Sequence, residues 1–332
     1  MNDRAATLAA ARRGALALAL LVSASAVASA AAGDDAPALL RRMSDAMRTQ
    51  TYEGTLVYTH DGKIESLGIV HAMIGGRERE RLRVLTGKPF EVVRDGDTVT
   101  CVWPDKHRVV VSHRAEGLLP PKPPRGLQSL PPTYAAKLAG QGRIAGRTAR
   151  IVRIASRDTY RYGYRLWIDP SSGLMLRSDL VGPDGDVVER LMFTELRRPE
   201  SVDPARLRPS VADGHAVPSA QPGDDSVAID DPEWQVTDLP EGFHVVSERR
   251  QSMPPDGQSV QHFVFSDGLA SVSVFIEPPS ARPMPLDGLS RFGAVHAFGR
   301  QLDDHHVTVV GEVPAATVRR IAASVQRVDR GS

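Results

Sequence analysis

The sequence predicts an α+β protein in which a large, open antiparallel β half-barrel is followed by a smaller C-terminal α+β domain. Large apolar residues alternate with polar residues over most of the chain, and clusters of Gly, Pro, Asp and Ser separate these runs. Predicted helices are few and do not alternate with the strands, so the pattern of a parallel α/β sheet is absent. A polar stretch with several prolines predicts a linker at 198–231 between domains at 34–197 and 232–328.

Residues 1–30 have the layout of a secretory signal peptide. Arg4, Arg12 and Arg13 precede a short apolar run at 14–22, and small residues continue to Ala30. That run is too short to cross a bilayer as a helix. We therefore expect export to the periplasm and cleavage near Ala30, without a lipid anchor because no cysteine lies near that site.

A helix is predicted directly after Asp34 and Asp35, which can cap its N-terminus, with Pro37 in its first turn. Its apolar residues recur at helical spacing and are Leu39, Leu40, Met43, Ala46 and Met47. The hydrophobic period then changes to two. This change predicts six strands, at 52–59, 64–73, 77–85, 90–94, 98–103 and 108–112.

The proline-rich segment 117–132 lacks amide donors that a central strand needs. It is either a plain connector or a flap over the mouth of a cavity. A short helix is predicted at 134–139, and strands follow at 142–144, 148–155, 162–168, 174–181 and 187–196. Pro170–Gly173 forms a tight turn between two of these strands, with a positive φ at Gly173. The strands together predict a curved sheet with one concave face.

The C-terminal domain is predicted to contain five strands and one closing helix. The strands are expected at 243–250, 260–266, 269–277, 294–301 and 306–311. The helix begins after Pro314 and places Val318, Ile321, Ala322 and Val325 on one face.

The net charge and the single cysteine argue against a nucleic-acid-binding protein and against an internal disulfide. The formal net charge of the whole chain is +1 and falls to about −1 without residues 1–30, which does not indicate a nucleic-acid partner. Cys101 is the only cysteine, so no disulfide can form within the chain. Its apolar neighbours predict a small packed residue in a strand.

A search for catalytic motifs predicts no enzyme and no cofactor. No serine lies in the strand-to-helix turn that a nucleophile elbow requires, and Gly75–Gly76 precedes a strand, which disfavours a phosphate cradle. Asp303–His306 is the densest group of metal-ligand residue types. Neighbouring residues of a strand point to opposite faces, so we interpret this group as a polar turn.

Two groups of residues are candidates for binding a lipid. The large apolar residues predicted on the sheet either fill the core or also line a lipid pocket on its concave face. These residues are Trp103, Leu166, Trp167, Leu174, Leu176, Leu191 and Phe193. Arg77, Arg79 and Arg81 alternate with glutamates, and form either a solvated face with cross-strand ion pairs or a rim for an anionic head group.

Several segments resemble the MucB/RseB family of periplasmic sigma-E regulators. They are Tyr52–Tyr58, Glu80–Arg94, Tyr164–Asp169 with Gly173–Ser178, Phe265–Glu277 and His306–Val318. The last two segments are distinctive, and the order and spacing of all five make the resemblance specific. The match extends over nearly the whole chain from the first predicted helix to the last. The resemblance implies an N-terminal domain similar to the lipoprotein carrier and receptor proteins LolA and LolB, with a lipid-accommodating cavity.

The resemblance also implies a function and partners. Family members bind the periplasmic part of an RseA/MucA-type anti-sigma factor, shield it from the site-1 protease, and are released by lipid or lipopolysaccharide; self-association is implied as well. We expect the anti-sigma factor on a surface of the C-terminal domain formed by Leu269, Val272, Val274, Ile276, His296, Phe298 and Arg300. The alternative for these residues is the core of that domain. The alternative function is a periplasmic lipid or lipoprotein carrier, and an exported hydrolase is disfavoured because no convincing nucleophile and base occur.

Overall fold

The structure is a computed structural model that describes residues 35–112, 127, 129–210, 215–218, 227–229, 232–253, 258–278 and 286–328. The predicted signal peptide and most of the proline-rich segment 117–132 lie outside these ranges. Leu127 and Leu130 of that segment are described, and both contact the core of the larger sheet.

The first helix, α1, spans Ala36–Thr49 and begins as the sequence predicts. The side chain of Asp35 accepts a hydrogen bond from the backbone N–H of Ala38 at 2.7 Å, and a proline occupies the first turn. The apolar face of α1 packs against the larger sheet. In its C-terminal half, α1 approaches Gly173, where a Cβ would lie 3.1 Å from the Cβ of Ala46. Gly173 also has a φ of +80°, which favours glycine.

The larger sheet contains twelve strands among the described residues. Eleven are β1 Tyr52–His60, β2 Lys63–Ile74, β3 Arg77–Val84, β4 Glu91–Asp95, β5 Thr98–Trp103, β6 Arg108–Ser112, β7 Tyr134–Ile144, β8 Arg147–Ser156, β9 Gly163–Ile168, β10 Met175–Val181 and β11 Val187–Arg197. The twelfth, β12 at His215–Pro218, pairs with β6 and gives the sheet its parallel edge. The order is β12-β6-β5-β4-β3-β2-β1-β11-β10-β9-β8-β7.

This sheet is open, because its first and last strands, β12 and β7, do not pair with each other. The predicted open antiparallel sheet is therefore confirmed. Residues 134–139, however, are not a helix but the first half of β7. Their alanines and leucine favour a helix locally, but pairing of residues 134–138 with 152–156 of β8 overrides that preference.

The C-terminal sheet has seven strands in the described ranges. They are β13 Val227–Ala228, β15 His244–Met253, β16 Gln258–Ser266, β17 Ser271–Glu277, β18 Gly288–Phe292, β19 Val295–Leu302 and β20 His305–Gly311. The order is β13-β15-β16-β17-β20-β19-β18. A separate two-stranded sheet joins β14 Trp234–Val236 to β21 Val325–Arg327.

The second helix, α2, spans Ala315–Ala323 and closes the core of this domain with Val318, Ile321 and Ala322. Val325 does not extend the apolar face of the helix as predicted. It lies in β21, opposite Val236, because the chain leaves the helix at Ser324 to form that pair.

Parts of the predicted linker 198–231 contact both sheets. Leu207 is buried, Arg206 forms an ion pair with Glu53 of β1 at 2.6 Å, and β12 and β13 pair with β6 and β15. Within the described residues, no helix is long and apolar enough to cross a membrane, and no cluster of three His, Cys, Asp or Glu is placed to hold a metal ion.

Candidate functional site

Six of the seven residues predicted to line a lipid pocket lie together in the core of the larger sheet. Leu166, Trp167, Leu174, Leu176, Leu191 and Phe193 are each at most 8% exposed and belong to one cluster with the apolar residues of α1. These side chains are therefore part of the packed core that includes α1. Trp167 is on the opposite face of β9 from Leu166, where its ring packs against Arg177.

Trp103 does not join that group, which corrects the prediction. It packs with Phe90, Val92, Val99 and Cys101 in a separate small cluster. The reason is the strand order, since six strands separate β5 from β9 in the sheet. Cys101 is buried in this cluster, as predicted, and burial raises the pKa of its thiol.

A cavity of about 20 Å³ lies next to the core, between the two domains. Tyr164, Leu180, Leu191 and Glu189 line it from the larger sheet, and Glu312 lines it from the C-terminal domain. This volume suits about one water molecule and is far too small for an acyl chain. Burial, and then the neighbouring Glu189, raise the pKa of Glu312 to about 7.

The arginines of β3 are placed mainly for pairing with carboxylates of the neighbouring strand. Arg81 binds both carboxylate oxygens of Glu91 at 2.9 and 3.0 Å, and Arg79 binds Asp95 at 3.2 Å. Arg77, the third residue of the proposed head-group rim, is exposed. The structure thus brings the three arginines onto one face but satisfies two of them within the sheet.

The predicted partner surface is largely interior, which corrects that prediction. Val272, Val274 and Ile276 alternate along β17 and point into the core beneath α2, each at most 2% exposed. Phe298 packs at the edge of the same core, and Arg300 donates to the backbone carbonyl of Val325 at 3.1 Å. The outward positions of β17 are instead Ser271, Ser273, Phe275 and Glu277.

The remaining two residues of that surface lie where the two domains meet. Leu269 packs against the core of the larger sheet. His296 is within 2.8 Å of the Val313 carbonyl and 3.3 Å of the Tyr162 hydroxyl, both through Nδ1.

A buried arginine joins the domains at this interface. Arg161 precedes β9, is fully buried, and contacts the Asp267 carboxylate of the C-terminal domain at 2.6 Å. It also pairs with Asp158 at 3.0 Å and donates to the Glu241 carbonyl at 2.6 Å. Tyr134 donates to the same Asp267 carboxylate at 3.1 Å, and burial followed by this charge raises the pKa of its hydroxyl. Such a pair is costly to break, because either charge alone would remain buried.

A second set of polar contacts joins the other side of the interface. The Tyr162 hydroxyl lies 3.0 Å from the carbonyl of Ala294 and 3.3 Å from that of Val313, and burial raises its pKa to about 12. The carboxylates of Glu189 and Asp61 accept backbone N–H groups of Ala294 and Gly293 at 2.8 and 2.5 Å. Both domains thus present groups that satisfy each other's buried donors and acceptors.

Sequence reasoning did not identify Arg161 or Tyr162, because their partners Asp267 and Ala294 in the C-terminal domain lie more than 100 residues away in the chain. The cue that was available is the density of basic and aromatic residues at 157–165.

Family models match both parts of the chain. The model of the MucB/RseB N-terminal domain matches residues 35–211, and that of the MucB/RseB C-terminal domain matches residues 228–326.

Named relatives and a solved structure agree with these matches. The chain is 32% identical over 297 residues to the sigma factor AlgU regulatory protein MucB of Pseudomonas aeruginosa, covering 88% of this chain and 91% of that protein. It is 29% identical over 309 residues to the sigma-E factor regulatory protein RseB of Escherichia coli K12, covering 92% and 94%. A crystal structure of MucB in complex with MucA(peri) has a TM-score of 0.68 at 31% identity, covering 88% of this chain and 99% of that chain. These relatives are regulatory proteins and not enzymes, as the sequence predicts.

Proposed function

Because the chain belongs to the MucB/RseB family, we propose that it is a periplasmic negative regulator of the sigma-E envelope stress response. It binds the periplasmic part of an RseA/MucA-type anti-sigma factor and shields it from the site-1 protease. Lipid or lipopolysaccharide signals then release the anti-sigma factor. The observation that carries this proposal is the likeness, over both domains, to the MucB chain crystallised with MucA(peri).

The domain interface supports a mechanism for release. Arg161, Asp267 and Tyr162 fix one arrangement of the two domains through buried polar contacts. If the anti-sigma factor favours this arrangement and a lipid favours another, each ligand weakens the binding of the other by the same free energy, typically about 1–3 kcal/mol.

Protein side chains already fill the concave face of the larger sheet, so a lipid could bind there only in a different arrangement of the protein. Leu166, Phe193 and the apolar face of α1 fill the space in the present arrangement. An acyl chain would enter only after α1 or the C-terminal domain moved. The filled core also gives less support to the alternative of a constitutive lipid carrier.

For the anti-sigma factor we propose a site beside the domain interface rather than on the inner side of β17. Leu269, His296, Phe298 and Arg300 are the residues of the predicted surface that keep partial exposure. A partner bound there would contact both domains and so depend on their arrangement.

The decisive experiment is calorimetry with the chain lacking residues 1–30 and the periplasmic segment of the organism's candidate anti-sigma factor. Binding at micromolar or lower Kd that lipopolysaccharide weakens by tenfold or more is expected. Absence of binding, together with stable lipid binding, would overturn the regulator in favour of the carrier.

A matched pair of variants tests the linkage. Tyr162→Phe removes the hydroxyl that reaches the C-terminal domain, whereas Tyr52→Phe removes one that reaches Met47 within the larger domain. Only Tyr162→Phe is expected to change the factor by which lipopolysaccharide weakens partner binding. Equal factors for the two variants and the unaltered chain would contradict the proposed role of the interface.

A further inference from the structure

The last three strands of the larger sheet carry a concentration of positive charge. Residues 134–168, which span β7, β8 and β9, contain eight basic residues and a single acidic one, Asp158. Two of the basic residues have carboxylate partners, since Arg147 pairs with Asp169 and Arg161 with Asp158 and Asp267. The charge of the others is not balanced within this segment.

Strand register places three of these charges side by side. Lys137 of β7 lies directly opposite Arg153 of β8, which lies directly opposite Arg165 of β9. We call these three residues the cationic row. Their neighbours Val152, Ile154 and Leu166 are buried in the core, so the row lies on the opposite, outer face of the sheet.

The carboxylate next to the cationic row, that of Asp179, already forms hydrogen bonds with other arginines. Asp179 of β10 follows Arg165 in register, but it accepts hydrogen bonds from Arg177 and from Arg190, which lies on its other side. Among the residues described here, Lys137, Arg153 and Arg165 have no carboxylate within ion-pair distance. Like charges that face each other across strands destabilise a sheet, so this face would gain stability from an external anion.

We propose that the cationic row docks the protein onto the anionic head groups of a lipid bilayer. The row crosses the strands on the face of a sheet, and Lys137 and Arg153 are exposed. Extended peptides normally pair with a strand edge or fill a groove with pockets. The edge strand of this region is β7, and two of the three side chains of the row, those of Arg153 and Arg165, lie on the inner strands β8 and β9 away from that edge. A two-dimensional array of phosphates matches several cations spaced about 5 Å apart across neighbouring strands.

This surface goes beyond the proposed regulatory function and does not depend on it. It lies on the outer face, opposite the core that contacts α1, so docking leaves the concave face unchanged. The physical contribution is electrostatic, which makes it sensitive to salt.

The test is sedimentation of the chain lacking residues 1–30 with vesicles of phosphatidylcholine that contain about 30% phosphatidylglycerol. The anionic lipid gives these vesicles a negative surface potential that attracts basic side chains. Binding is expected to these vesicles, not to pure phosphatidylcholine, and to weaken at high salt. The double variant Arg153→Gln with Arg165→Gln is expected to bind about tenfold more weakly or worse.

The matched control is the double variant Lys63→Gln with Arg83→Gln, which removes the same charge from exposed positions of β2 and β3 in the same sheet. It should bind like the unaltered chain, and thermal unfolding should show both variants folded. Equal weakening by the two variants, equal binding to neutral vesicles, or binding to a soluble acidic polypeptide but not to vesicles would each overturn the proposal.

Discussion

The two arginine-rich parts of the larger sheet use the same residue in opposite ways. On β3, Arg79 and Arg81 face carboxylates of β4, so the charges cancel within the sheet. On β7 to β9, the cationic row places Lys137, Arg153 and Arg165 against one another. The arginines of β3 are explained by their ion pairs within the folded sheet. The like charges of the cationic row are explained better by binding to an external anionic ligand.

Arginines of the same segment also differ in how much they stabilise the fold. Arg161 belongs to the same basic segment as the cationic row, but it is fully buried against Asp267. Burial and pairing, rather than local charge density, should therefore determine the cost of each substitution.

The largest effect is expected for Arg161→Leu, which leaves Asp267 buried without its cationic partner. The free energy of unfolding should fall by about 3–5 kcal/mol, as measured by urea denaturation. Arg157→Leu, an exposed position four residues earlier, should change it by less than about 0.5 kcal/mol. Similar costs for the two variants would remove the distinction between buried and surface arginines in this segment.

The next effect concerns Asp179, the carboxylate at the end of the cationic row. Its burial alone would raise the pKa, but hydrogen bonds and charge from Arg177 and Arg190 lower it below the ordinary value. This stabilisation is therefore present above about pH 4 and is lost as the pH falls through the lowered pKa. Asp179→Asn should cost about 2–3 kcal/mol at pH 7.

Measuring the free energy of unfolding as a function of pH tests whether the stabilisation by Asp179 is lost in acid. The unaltered chain should lose more stability than Asp179→Asn when the pH is lowered from about 5 to 2, so the two curves should converge. Parallel curves would show that the carboxylate does not contribute through its charge.

A smaller effect is expected in the paired part of the sheet. Arg81→Ala removes two hydrogen bonds to Glu91, whose side chain is only 9% exposed. A loss of about 1–2 kcal/mol follows for a partly buried, bidentate pair. A double-mutant cycle with Glu91→Ala should recover a coupling of similar size, and a coupling near zero would place this pair with ordinary surface ion pairs.

The smallest effect is expected for Arg165→Gln. Removing one of three facing charges should leave the free energy of unfolding within about 0.5 kcal/mol of the unaltered chain, or raise it slightly. Thermal and urea unfolding at low salt measure this. A loss of more than about 1 kcal/mol in the free energy of unfolding would mean that Arg165 has a stabilising partner within the protein. It would then resemble Arg79 and Arg81 of β3 rather than the other two residues of the cationic row.

Much of the secondary structure could be predicted from local pattern. The Asp35 cap, the turn ending at Gly173, and most strands of both domains follow from side-chain chemistry and period-two alternation. The short strands β12, β13, β14, β18 and β21 were not predicted. The prediction was wrong at residues 134–139 and at Val325, where strand pairing overrides helix propensity.

The candidate site was less predictable, because apolar alternation identifies inward residues without saying what covers them. Val272, Val274 and Ile276 have the pattern expected of a binding strand and of a core strand alike, and the packing of α2 makes them core. Trp103 and Trp167 are equally apolar, but six intervening strands separate them.

The sequence by itself determined the alternation of buried and exposed residues, the family resemblance, and the unequal distribution of charge along the chain. Only the tertiary structure decided which charges meet. Arg161 finds Asp267 across 106 positions of sequence, whereas Arg153 and Arg165 face each other. The physical reason is that strand register and domain contact set the distances between charges, and an ion pair forms or fails within a few ångströms.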